Sequence, residues 1–129
     1  MKRRLQILSA LGLLACSAAF AANVSAQNAP VPGVYDNFKV GGGSGDLEGM
    51  RVVIIPAHDT FYAMVQIAQG GAEDPKPTFV DATVKGMTIE FTLDDAKYTG
   101  TVSVAGLRIK DPDGKTHVLK RRPCATLFR

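Results

Sequence analysis

The chain has 129 residues, with 15 basic and 12 acidic side chains, two cysteines and no tryptophan. That length supports one domain with a modest core and is too short for two. The formal charge of +3 equals the charge of Lys2, Arg3 and Arg4 alone, so the basic balance gives no argument for nucleic-acid binding.

Those three cations begin a segment with the layout of a secretory signal: positive charge, an apolar run over 5–20, then small residues. Charge holds the amino end on the cytoplasmic side while the apolar run enters the membrane. Cleavage is expected after Ala26, in the pattern Val24-Ser25-Ala26, with Ala19-Phe20-Ala21 as the earlier alternative. A permanent membrane helix fits poorly, because Gln6, Ser9 and Ser17 interrupt the run and no basic cluster follows it. Leu13-Leu14-Ala15-Cys16 resembles a lipobox, which would instead make Cys16 the lipidated amino end. The expected organisation is a signal peptide over 1–26, a short flexible segment over 27–32 and a single domain over 33–129. Its expected location is periplasmic or secreted, or membrane-tethered if Cys16 is processed.

Removal of the signal leaves basic and acidic side chains equal in number. Residues 110–129 nevertheless carry six basic and two acidic groups, which describes a dipolar surface. Cys124 alone remains, so the mature fold has no internal disulfide, and a buried, inert thiol is the simplest reading.

From residue 33 onward apolar residues alternate with polar ones at a period of two, the strand habit, and no window shows helical periodicity. Eight strands are expected, over 33–40, 50–56, 60–69, 78–84, 87–93, 98–104, 107–111 and 116–122. Met87, Ile89, Phe91 and Leu93 face one way, and Thr88, Glu90 and Thr92 the other. The strands 50–56 and 60–69 are apolar on both faces and should lie centrally or under a covering segment, with Pro56 limiting the first. Ala57-His58-Asp59, Lys85-Gly86, Ala105-Gly106 and Pro112-Asp113-Gly114 supply short turns that enforce antiparallel neighbours. Longer breaks fall at 41–49 and 70–77. The expected fold is all-β, an antiparallel meander closed as a small up-and-down, lipocalin-like barrel, with an open sandwich as the alternative.

Chemical motifs are sparse. The run Gly41-Gly42-Gly43-Ser44-Gly45 is not a phosphate loop, because Asp46 and Glu48 follow where Gly-Lys-Ser and a helix are needed. Asp46 and Glu48 read as a solvated loop before they read as an acid/base or cation pair. Asp111-Pro112-Asp113-Gly114 lacks the remaining oxygen ligands of a calcium loop and reads as a hairpin. His58 and His117 are the only histidines and neither sits at a metal-ligand spacing. No nucleophile elbow is present. No catalytic residue, metal or cofactor is therefore assigned. Lys120-Arg121-Arg122 is either an anion-binding tail or a charged edge strand.

Gly33-Val34-Tyr35-Asp36-Asn37, the loop Ser44-Gly45-Asp46-Leu47-Glu48-Gly49 and the late Leu119-Lys120-Arg121 resemble small exported bacterial β-meander proteins of uncharacterised function. In architecture the chain also resembles lipocalin-type barrels and the small periplasmic barrels that inhibit lysozyme or proteases. It departs from the inhibitors in lacking tryptophan and a mature cysteine pair. The resemblance carries no catalytic residue over. It implies a non-enzymatic binding module for a small apolar ligand or an envelope protein, with Tyr35, Asp46, Glu48, His58 and Tyr62 as candidate contacts at loops and strand mouths. The competing expectations are an inhibitor of an envelope enzyme and a hydrolase or metal-dependent enzyme built on His58, Asp59 or the Asp46 and Glu48 pair.

Overall fold

The computed structural model describes residues 30–71 and 74–123. The expected signal segment with Cys16 and Ala26, residues 27–29 and Cys124 lie outside the described residues. The described residues form nine strands: β1 (Gly33–Asp36), β2 (Lys39–Val40), β3 (Leu47–Pro56), β4 (Phe61–Gln69), β5 (Thr78–Lys85), β6 (Thr88–Leu93), β7 (Ala96–Ser103), β8 (Gly106–Lys110) and β9 (Thr116–Arg122). They make one antiparallel sheet in the order β1-β9-β8-β7-β6-β5-β4-β3-β2, and β1 pairs with β3 as well as β9. That last pairing closes the sheet into an up-and-down barrel, leaving the two-residue β2 as a short strand paired on one side only among the described residues.

The run 33–40 is a single stave interrupted once. Asp36 lies opposite Arg51 and Lys39 opposite Glu48, so β1 and β2 share one register on β3. Between them, Asn37 N–H donates to Met50 O at 3.1 Å, and Met50 N–H donates at 2.7 Å to the Asn37 side-chain Oδ1. The amide side chain thus supplies the acceptor that the ladder requires. Gly49, opposite this stitch at φ +117°, has no room for a Cβ, which would stand 2.7 Å from Asn37 Oδ1.

Alternation sets the core. In β6, Ile89, Phe91 and Leu93 are buried while Thr88, Glu90 and Thr92 are exposed. Met87, expected at the start of this strand, precedes it and packs half-buried on the core. Inward residues from every stave meet in the middle, where Val52, Ala63, Ile89, Leu107, Ile109 and Leu119 are completely buried. Side chains fill the lower and central barrel, as an eight-stave diameter allows. Phe91 and Tyr98, paired across β6 and β7, stack with ring centroids 5.3 Å apart. Outside, Gln66 Nε2 donates to Pro75 O at 2.9 Å, so Pro75 lies against the outer face of β4.

The turns follow the sequence with one exception. Asp94 and Asp95, at φ +50° and +62°, join β6 to β7 in a two-residue hairpin without glycine. Aspartate tolerates this left-handed region better than most residues, and the composition alone does not flag it.

The two ends of the barrel differ. At one end, Arg121 points inward from β9 over the Tyr35 ring, 5.3 Å from its centroid. Its guanidinium donates to Pro30 O at 2.7 Å, Pro32 O at 2.6 Å and Tyr35 Oη at 3.0 Å. Tyr35 Oη in turn donates to Val31 O at 2.7 Å. Residues 30–32 are thereby tied across the opening as a seal. The neighbouring Arg122 points outward and donates from Nε to Asp36 Oδ1 at 2.8 Å, while Arg51 reaches Asp36 Oδ2 at 3.4 Å. The reading of 120–122 as an edge strand is corrected here: β9 pairs on both sides, and its two arginines clamp the two faces of β1 where the barrel closes.

Candidate functional site

The opposite end carries an open cup of about 810 Å³. It lies at the end of the barrel where the up-and-down order places the β8–β9 connection, whose residues Asp111, Pro112, Asp113 and Lys115 line one side of it. Met50, Ile67 and Tyr98 form its apolar base. Lys39, Glu48, Asp111 and His117 line it above.

Strand parity explains why these polar side chains meet. Alternation that turns Ile109 and Leu119 inward also turns Asp111 and His117 inward, two positions nearer the mouth. The same rule carries Met50 to Glu48, which faces Lys39 across the β2–β3 pair with Nζ and Oε2 3.4 Å apart. Both members of that ion pair are well exposed, so it contributes little to stability.

Asp111 is held more firmly. Its Oδ1 accepts Lys115 N–H at 2.8 Å, and its Oδ2 lies 2.9 Å from His117 Nε2. An ionised carboxylate can only accept, so Nε2 carries the proton in this contact. Gly114 N–H closes the turn onto Asp111 O at 3.0 Å. The hydrogen bond from His117 holds the Asp111 carboxyl below its ordinary value, against partial burial that works the other way and with help from the Lys115 amide. Tyr98, only 9% exposed, shows the opposite effect: burial raises its phenol above the ordinary value, and the charges of Asp111, Asp113 and Asp94 raise it further. Its hydroxyl is therefore neutral near pH 7 and available as a donor.

The residues expected as contacts are dispersed. Glu48 lines the cup, and Asp46 sits in the adjoining loop with its N–H on Ser44 Oγ at 3.2 Å. Tyr35 belongs to the seal at the far end, where its hydroxyl is fully engaged. His58 is exposed in the β3–β4 hairpin at that same sealed end, and Tyr62 faces outward from β4, 42% exposed. His58 and Asp59 thus lie at the opposite end of the barrel from Asp46 and Glu48. Among the described residues no cluster of three or more histidine, cysteine or acidic side chains could hold a metal. His117, Asp111 and Tyr98 were not among the expected contacts, although the parity of β7, β8 and β9 points all three inward.

Comparison with protein-family models, with curated proteins and with solved structures finds no match for this chain.

Proposed function

We propose that the chain is an exported, non-enzymatic binding module that takes a small amphipathic ligand in the cup at the open end of its barrel. The observation that carries this reading is the contrast between the two ends. One is sealed by backbone and Arg121, whereas the other leaves a concave space with an apolar base and a polar wall. Its volume lies within the roughly 300–1,000 Å³ usual for ligand sites. Because side chains fill the centre of the barrel, the ligand sits at the mouth and not within the stave interior. Export rests on the charge, apolar run and small residues of 1–26.

Native mass spectrometry of the protein recovered from the periplasm of a bacterium expressing the full chain tests both parts. The expected spectrum shows the mass left by cleavage after Ala26 together with a dissociable adduct of small-molecule mass. Retention of the uncleaved chain in the cytoplasm would overturn export. A bare protein mass, with amide resonances around the cup unmoved by periplasmic small-molecule extract, would overturn the ligand reading.

A further inference from the structure

Independently of the cup, we infer that the outer face of β7, β8 and β9 is a docking strip for an acidic polysaccharide. Arg108, Lys110 and Lys120 meet its carboxylates, and the threonines between them meet its hydroxyls.

Strand parity builds the strip. The alternation that buries Ile109 and Leu119 turns Arg108, Lys110, Thr116, Val118 and Lys120 outward, and β7 adds Lys97, Thr99, Thr101 and Ser103 on the same side. No acidic side chain faces outward from these three strands. Lys97 is paired with Glu90 of β6 at 2.8 Å and Arg122 with Asp36 at 2.8 Å, so neither pair leaves net charge. Arg108, Lys110 and Lys120 make no ion pair among the described residues. Asp113 stands at the tip of the β8–β9 hairpin, past the end of the strip, together with Lys115 of opposite sign. Edge protection does not account for the three free cations, because β8 and β9 are paired on both sides.

The register spaces these charges. Lys110 lies opposite Thr99 and Thr116, Arg108 opposite Thr101 and Val118, and Lys120 opposite Gly106. The cations therefore occupy three successive rows, each step about 7 Å along the strands. A small anion draws its donors to one point, whereas charges spread at regular steps match a chain that repeats its own.

The strip is also hollowed. A shallow depression of about 330 Å³ lies over it, lined by Thr88 of β6 and by Thr99, Thr101, Arg108, Lys110 and Thr116, with Gly100. Every side chain in that lining is a hydroxyl or a cation. Threonine hydroxyls donate and accept, as sugar hydroxyls require, and the cations supply charge-assisted bonds to carboxylates. Other polyanions fit this face less well. It offers no aromatic platform for nucleic-acid bases, since Phe91 and Tyr98 are turned into the barrel. Val118 and, at the β7–β8 turn, Val104 are too few to anchor it in an anionic membrane.

The test titrates polygalacturonate, free galacturonate, dextran, a single-stranded oligonucleotide and phosphatidylglycerol vesicles at pH 7 and low salt into protein produced from the full chain. Amide chemical shifts locate binding and calorimetry measures it. Polygalacturonate should move Thr99, Thr101, Arg108, Lys110, Thr116 and Lys120, and bind about a hundredfold more tightly than free galacturonate through its linked charges. Its affinity should fall as salt rises, and dextran should not bind. Combining Arg108→Gln, Lys110→Gln and Lys120→Gln should weaken polygalacturonate by about tenfold or more. Lys76→Gln, the same charge change in the β4–β5 connection, should stay within about twofold of the parent. Thr101→Val, which keeps the branched shape and removes the hydroxyl, should weaken polygalacturonate several-fold without altering its salt dependence. Failure of polygalacturonate to bind, or undiminished binding by the triple variant, would refute the strip. An oligonucleotide or vesicle bound as tightly as polygalacturonate, or parental affinity in Thr101→Val, would refute the polysaccharide as its occupant.

Discussion

Arg121→Ala should open the sealed end of the barrel and cost about 3–4 kcal/mol. Arg121 makes two bonds to the carbonyls of Pro30 and Pro32 and one to Tyr35 Oη. A hydrogen bond of this kind contributes about 1 kcal/mol net where water can replace the lost partner, and Pro30 is exposed. The stacked guanidinium adds about 0.5–1 kcal/mol at a partly exposed aromatic face. Urea unfolding followed by tyrosine near-ultraviolet circular dichroism measures the change, and an unchanged slope against urea shows that the folded barrel persists. Amide exchange at Val31 and Tyr35 should accelerate more than exchange in β6. Arg121→Lys should recover only part of the loss, since a point charge cannot reach two carbonyls and a phenol at once. In a double-mutant cycle, Tyr35→Phe should couple to Arg121→Ala by at least about 0.5 kcal/mol. If Arg121→Ala lies within about 0.5 kcal/mol of the parent and exchange at Val31 is unaltered, residues 30–32 are held by something other than this side chain.

Three further outcomes are expected. Asp36→Asn should destabilise the barrel by about 1–2 kcal/mol, because Arg51 and Arg122 lose the charge that both address on the outer face of the seam; pairing it with Arg122→Gln in a cycle checks that the loss is shared. Gly106→Ala should cost more than about 3 kcal/mol or abolish soluble yield, since a Cβ at φ +137° would overlap Leu119 O; a urea midpoint near that of the parent would contradict the β8–β9 register. The Asp111 carboxyl, held below its ordinary value of 3.8, should titrate below that value by carbon NMR and move upward in His117→Gln. Because the folded value is depressed, Asp111 adds stability at pH above the ordinary carboxylate range and loses it as pH falls through the folded value. An unchanged Asp111 titration in His117→Gln would remove the hydrogen bond as its cause.

Much of the fold was legible because alternation and turn chemistry are local. The period-two runs of β5, β6 and β7 and the short connections between them specify a meander without any knowledge of distant contacts. The Asn37 interruption was not legible, because it depends on which residue faces the stitch across β3. Nor was the role of Arg121 and Arg122 as a closing clamp, since that requires knowing where β9 comes to lie beside β1. Instead, charge at the end of a chain reads as tail or edge. For the cup, the sequence signal lies in strand parity and not in the loops. Extending the inward parity of Ile109 and Leu119 by one step each places Asp111 and His117 together, and the inward parity of Ala63 and Val65 turns Tyr62 to the outer face. Glu48 was found through its loop, although its place in the cup comes from the same parity.

The seal also gives the molecule a direction. Described backbone enters at Pro30 and leaves at Pro123, and β1 and β9 put both points at the end that Arg121 laces shut. A segment attached directly at Pro30 or at Pro123 therefore starts on the side away from the cup. Proteins immobilised through links made directly at those two points should present the same mouth outward, so the two attachments become interchangeable for capture experiments.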